Sequence, residues 1–250
     1  MRCLYRLLDV GTTDGSVAEL PRLLDAAERT GFAGLNITHP FKEAVIGHLN
    51  ALSADARAIG AVNTVVFADG KRVGHNTDWL GFRENFIRSL TGARLSHVVQ
   101  FGAGGAGAAT AFALLKMGVE RLDLVDVVQD RAQLLADRLN AYFPGRAFAV
   151  VDVSGAIRHA DGVVHATPTG TAAHPGLPLP AELLRRELWV AEVVYFPIET
   201  ELLRAARQRG CRTLDGGGMA VWQAVEAFRL FTGLAADPER MWTFFNESTR

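Results

Sequence analysis

Apolar residues at Val17, Leu20, Leu23, Leu24 and Ala27 recur at the spacing of one helical face. Ser16 and Glu19 supply a capping box at its head, and Gly31 supplies its stop. Before this helix, Leu4–Val10 reads as a strand. After it, "GLNI" gives a short strand, His39–Pro40 a turn and "FKEAVIGHLNAL" a second helix. "AVNTVVFADGKRVGHNTD" predicts a hairpin turning at Asp69–Gly70, and a helix follows from about Trp79 to Thr91.

From His97 the pattern becomes strict strand–helix alternation. "HVVQF", "RLDLVDV", "AFAVV", "GVVHA", "LWVAEVV" and "RTLD" read as strands. Helices run from the glycines after "HVVQF" to about Met117, from the end of "RLDLVDV" to about Phe143, and through "TELLRAARQRG". Apolar strands alternating with amphipathic helices predict an α/β fold with a parallel sheet covered on both faces. The chain ends in the helix "MAVWQAVEAFRLFTG" and a short last helix capped by Asp237.

Composition narrows the partners. The chain has 250 residues, 49% hydrophobic and 21% charged, enough for one large or two modest domains. A formal net charge of −1 leaves no basic footprint for nucleic acid or an anionic membrane surface. No apolar stretch reaches the ~18 residues of a membrane span, and no signal-peptide pattern opens the chain. Cys3 and Cys211 make no metal-ligand spacing and read as small buried hydrophobes in a reduced, cytoplasmic chain. The histidines are dispersed, so no metal site is expected.

One stretch carries chemistry of its own. Gly102, Gly104 and Gly107 spell G-x-G-x-x-G in "GAGGAG", with Ala103, Gly105 and Ala106 between them. Alone this is a common glycine-rich turn. Here it follows a strand and opens a helix, so backbone N–H groups and a helix N-terminus can face a pyrophosphate. Asp126 ends the next strand, where a carboxylate hydrogen-bonds the adenosine ribose hydroxyls. A 2′-phosphate roughly 4 Å from it would cost about 4 kcal/mol per unit of like charge at an effective dielectric near 20. Arg131, one turn into the following helix, offsets part of this, so the reading favours NAD over NADP.

"GLNITHPFKEA", "IGAVNTVV", "GHNTDWLGF", "GAGGAG" and "MAVWQAVEAF", in that order, resemble the shikimate/quinate dehydrogenase family through essentially the whole chain. The tail, and Asp126 where the NADP-specific branch usually has an Asn-Arg-Thr type sequence, are most similar to the NAD-using quinate/shikimate branch. The resemblance implies a catalytic Lys42 with Asp78 as its partner. It implies substrate contacts from Thr38, Asn63 and Gln223, and Tyr195 near nicotinamide and substrate. It adds Thr167 and Gly216 to the cofactor site. It also implies two lobes: a substrate domain over 1–80, a Rossmann domain over 81–216, and helices over 217–250 returning to the first lobe. Two crossings between the lobes allow hinge closure.

The residue types suit the chemistry. Hydride transfer between a secondary alcohol and nicotinamide needs the carbinol carbon held in line and one proton moved at its oxygen. A lysine does this as ammonium in one direction and as amine in the other. A polyol carboxylate needs several donors and acceptors. Taken singly, Lys42 reads as a solvated helix-start residue, Asn63 as a turn or ladder residue of the hairpin and Asp78 as an N-cap, and Tyr195 has a core-aromatic alternative.

Two places depart from the family pattern. Its N-A-T-P-x-G-M loop stands here as "HATPTGT", with His165 for Asn and Thr171 for Met. A strand, then a Ser-x-Ser or Ser-x-Thr loop binding the substrate carboxylate, and a helix precede "YRLLDV" in the family; here no Ser or Thr precedes Thr12. The expectation is a start placed at an internal Met, with a weakly stable first lobe that binds the ring acid poorly and a nucleotide lobe that still folds and binds NAD. Two other functions remain open: a dinucleotide-binding protein without catalysis, and a dehydrogenase of a related amino-cyclohexene acid. Quinate is not distinguished from shikimate, nor monomer from homodimer.

Overall fold

A computed structural model describes residues 3–10 and 16–248. Helix α1 (Ser16–Arg29) buries Leu20, Leu24 and Ala27, the face its spacing predicts. The Ser16 side chain of the capping box lies outside the described residues. Strands β1 (Gly34–Asn36), β2 (Ala51–Leu52), β3 (Thr64–Ala68) and β4 (Lys71–His75) form a four-stranded sheet of order β1-β3-β4-β2. β3 and β4 make the expected hairpin: Ala68 pairs with Lys71, and Asp69 and Gly70 take positive φ of 50° and 68°, as a two-residue primed turn requires. Leu20, Leu24, Phe41, Val45, Val62 and Val65 pack as the core beneath this sheet.

Three expectations for this lobe need correction. Residues 4–10 form no strand, and Leu4, Tyr5 and Leu7 are exposed, as is Cys3. A strand exists by pairing, and among the described residues nothing pairs with the outer edge of β1. The helix expected over "FKEAVIGHLNAL" is only α2 (Phe41–Ala44) and a 3₁₀ turn (Val45–His48) before β2. Asn50 explains the break: its N–H donates to Arg72 O and its Oδ1 accepts from Arg72 N, which ties the chain to β4. Helix α3 (Ala54–Ile59) was not predicted, although Ser53 caps its start and Gly60, at φ 73°, its end; six residues are too few to show periodicity.

His75 ends β4 half-buried. Burial pushes its pKa down, Glu226 opposes this and Arg229 adds to it. A histidine with a lowered folded pKa stays neutral while the unfolded chain takes up protons, so stability is lost as pH falls through the unfolded value near ~6.5. Thermal unfolding at pH 7.5 and pH 5.5 should show a drop in Tm that shrinks in His75→Gln; an unchanged drop would assign it to other groups.

Helix α4 (Asp78–Ser89) leaves the first sheet and packs along α9 (Gly217–Thr232). A Cβ on Gly81 would lie 2.5 Å from Met219 O, so the two helix backbones approach closely there. The boundary expected at residue 80 falls inside α4.

The second sheet contains β5 (His97–Phe101), β6 (Arg121–Val125), β7 (Ala147–Ala149), β8 (Gly162–His165), β9 (Trp189–Glu192) and β10 (Arg212–Leu214). Its order is β10-β9-β8-β5-β6-β7, parallel throughout. Helices α5 (Gly105–Lys116) and α6 (Gln129–Asn140) pack with α4 on one face. Helices α7 (Val153–His159) and α8 (Glu201–Gln208) cover the other. α7, about two turns long, has too few residues to show periodicity; it is capped by Asp152 accepting from Gly155 N. The order reverses between β5 and β8, and ligands of open α/β sheets bind outside the carboxyl ends of strands at such a point. The last helix, α10 (Pro238–Ser248), starts at Asp237, whose carboxylate accepts from Arg240 N.

Candidate active site

Lys42 lies in α2 and Asp78 begins α4. Lys42 Nζ donates to Asp78 Oδ2 at 2.6 Å, with the side chains only 18% and 8% exposed. Asp78 does not cap its own helix. Asn76 does: its Oδ1 accepts from Asp78 N and Trp79 N while its Nδ2 donates to Ala61 O. That division of labour releases the Asp78 carboxylate for side-chain partners. Its Oδ1 accepts from Asn63 Nδ2 at 2.8 Å. Asn63 Nδ2 also reaches Thr77 Oγ1 at 2.9 Å, and Asn63 Oδ1 accepts from Thr77 N at 2.7 Å. From α9, Gln223 Oε1 accepts from both Asn63 Nδ2 and Thr77 Oγ1 at 3.4 Å. The structure thus joins Lys42, Asp78, Asn63 and Gln223 in one network. Thr77 is a member the sequence reading passed over, though "NTD" placed it there.

Thr38 and Tyr195 stand outside this network. Thr38 is exposed in the turn before α2, and its carbonyl accepts from Phe41 N. Tyr195 follows β9 on a loop and is 52% exposed, so it is not the core aromatic of the alternative reading.

The glycine turn sits at the switch point. A Cβ on Gly102 (φ 100°) would lie 2.5 Å from Ala166 O, and one on Gly107 would lie 2.1 Å from Gly102 O. Only hydrogen fits at either place. Buried Gln100 clamps the turn, its Nε2 donating to Gly102 O and Gly107 O while Thr110 Oγ1 donates to its Oε1. The first-turn N–H groups of Gly105, Ala106 and Gly107 have by position no intrahelical acceptor, and the N-cap, Gly104, makes no side-chain bond to them. Asp126 Oδ2 accepts from Ala103 N and Oδ1 from Val128 N, which fixes the carboxylate beside the turn. Arg131 is exposed. Thr167 reaches the turn from the loop after β8; its Cγ2 is 3.1 Å from where a Gly102 Cβ would be. Gly216, at the start of α9, has no room for a Cβ against Val193 O and Val194 O. A dinucleotide fits this cradle: glycines bare the backbone, a helix N-terminus opens from the turn, and a carboxylate stands at the strand end.

The two halves meet through Lys42. A Cβ on Gly105 would lie 3.1 Å from Lys42 Cβ and 3.3 Å from its Cδ, so the lysine stem rests on the first residue of α5. Arg138 of α6 adds a second tie, donating from Nη1 to Ile59 O at the end of α3.

A parallel sheet of this order, with a glycine turn at its switch point facing a lysine–carboxylate pair, defines the class: a dinucleotide-dependent oxidoreductase. Known proteins agree. Residues 2–65 match the shikimate dehydrogenase substrate binding domain, and residues 216–243 the shikimate 5'-dehydrogenase C-terminal domain. A shikimate dehydrogenase (NADP(+)) of Streptomyces avermitilis is 58% identical over 96% of this chain and 84% of its own. A quinate/shikimate dehydrogenase (NAD(+)) of Corynebacterium efficiens is 51% identical over 95% of this chain and 85% of its own. The structure of quinate dehydrogenase from Corynebacterium glutamicum in complex with NAD superposes with a TM-score of 0.84 at 52% identity, over 91% of this chain and 82% of that one. The chain belongs to the shikimate/quinate dehydrogenase family. Its relatives carry both cofactor names, which gives a nicotinamide dinucleotide without choosing between the two forms.

Proposed function

We propose that the protein oxidises the secondary ring hydroxyl of shikimate or quinate to the 3-keto acid, or runs the reverse, and that it prefers NAD. The observation that carries this reading is the position of Lys42: its Nζ is bonded to Asp78 and its stem rests on Gly105 of the nucleotide turn. That puts a proton carrier of the substrate lobe at the mouth of the dinucleotide crevice. When bound, nicotinamide supplies the hydride acceptor or donor. In oxidation the carbinol O–H proton passes to Lys42 as amine while the C–H leaves as hydride; in reduction Lys42 ammonium returns the proton. Asp78 orients Nζ. Asn63, Gln223 and Thr38 offer donors and acceptors to ring hydroxyls, and Tyr195, exposed on the loop after β9, is assigned to the nicotinamide end of the site. The turn Gly102–Gly107, with Asp126, Thr167 and Gly216, holds the dinucleotide. The setting is a cytoplasmic enzyme of small molecules.

The NAD preference rests on Asp126. Both its oxygens accept backbone N–H groups, so it cannot swing away from an added phosphate without losing them. The test is kcat/KM with NAD and with NADP, before and after Asp126→Ala. The protein should favour NAD, and Asp126→Ala should weaken NAD use and narrow the preference. Equal or better use of NADP by the unsubstituted protein would refute it.

A further inference from the structure

His165, the residue that departs from the family's loop, ends β8 with no exposed side-chain surface. It pairs in register with Phe101, the last residue before the glycine turn, and with Glu192 of β9. Its Nδ1 is 2.8 and 3.0 Å from the two carboxylate oxygens of Glu192, itself fully buried. Glu192 also accepts from Val193 N, Val194 N and Thr200 Oγ1. A carboxylate accepts only, so Nδ1 carries the donated proton. Nε2 lies 2.5 Å from Thr167 Oγ1. Thr167 Oγ1 also accepts from Thr169 N, so the hydroxyl is held from both sides.

We infer that His165, held by Glu192, is a positioning residue for the cofactor: it fixes the Thr167 hydroxyl for a hydrogen bond to the dinucleotide at the switch-point crevice. This rests on the reading that Thr167 borders the dinucleotide. A buried ring bonded through both nitrogens holds Thr167 in one orientation, and preorganisation of that kind lowers the cost of binding. A plain packing residue at the end of β8 would need neither the carboxylate nor the hydroxyl.

The two ring nitrogens can be separated by substitution. The amide of Asn takes the place of Nδ1 and keeps the Glu192 bond; that of Gln reaches the place of Nε2 and keeps the Thr167 bond. NADH dissociation constants, KM for NAD and for the ring acid, and kcat are compared among His165→Asn, His165→Gln, Thr167→Val and the unsubstituted protein. Expected is a rise of about threefold to tenfold in the NADH dissociation constant and NAD KM for Thr167→Val and for His165→Asn, the worth of one neutral hydrogen bond. His165→Gln should stay near the unsubstituted value, and KM for the ring acid should hold throughout. A purely structural histidine predicts the reverse order, with Asn benign and Gln damaging, and that result would overturn the inference. So would unchanged NADH affinity in a folded His165→Asn when Thr167→Val loses affinity. Unchanged affinity in Thr167→Val would instead remove Thr167 from the cofactor site, and the inference with it. That variant sits on a half-buried loop and reads out even where substitutions at His165 prevent folding.

Discussion

Lys42→Ala lowers kcat for oxidation of the ring alcohol by at least about 10²-fold, the low end for losing a general acid–base group. NADH binding changes far less. The expectation follows from the two contacts of one side chain. Its Nζ meets Asp78 at 2.6 Å in a nearly closed setting, so the proton carrier is oriented before substrate arrives. The stem atoms nearest the Gly105 Cβ position are its Cβ and Cδ, so truncation leaves the glycine cradle intact. Asp78→Asn should raise the ring-acid KM and lower kcat together, because Asp78 holds both Lys42 and Asn63. Steady-state kinetics beside NADH titration checks both. A Lys42→Ala enzyme with kcat within about tenfold of the unsubstituted value would remove Lys42 from the proton transfer.

Gly107→Ala should damage the other half of the site. The added methyl would stand 2.1 Å from Gly102 O and 2.7 Å from its carbonyl carbon, both backbone atoms of the same turn. Neither yields as a side chain does. Relief requires α5 to lift from the turn, which also strains the Gln100 clamp on Gly102 O and Gly107 O. Overpacking of this kind costs about 1–3 kcal/mol. Taken from dinucleotide binding, that is a loss of roughly 5- to 150-fold. The NADH dissociation constant reads it directly, and a value unchanged from that of the unsubstituted protein would mean that Gly107 is not part of the cradle.

Much of this was legible in the residues because the signals were local or serial. The glycine turn, its strand and its helix are contiguous, and the parallel sheet announces itself by apolar strands spaced with amphipathic helices. Lys42, Asn63, Asp78 and Gln223 are scattered over the chain, and their order of motifs rather than any one of them pointed to a common site. What was not legible depended on partners distant in sequence. Leu4–Val10 has strand composition, but among the described residues no strand pairs with it. Gln100 and Glu192 lie inside apolar strands, and a lone polar residue there signals a buried bond without naming its acceptor or donor. Thr77 and Asn76 sit beside Asp78, and only the folded loop shows that Asn76 caps the helix and so frees the carboxylate. Helices α3 and α7 were too short for periodicity, although their caps, Ser53 and Asp152, were visible.

The account turns on whether a lysine of the first lobe moves a proton for hydride transfer at the dinucleotide crevice. The direct measurement is the initial rate of NADH formation, followed by absorbance, with quinate and with shikimate, for the unsubstituted protein and for Lys42→Ala side by side. The account predicts NAD-dependent turnover with at least one of the two acids and its near-complete loss in Lys42→Ala while NADH still binds. Tight NADH binding with no turnover of either acid, or turnover indifferent to Lys42, would contradict it.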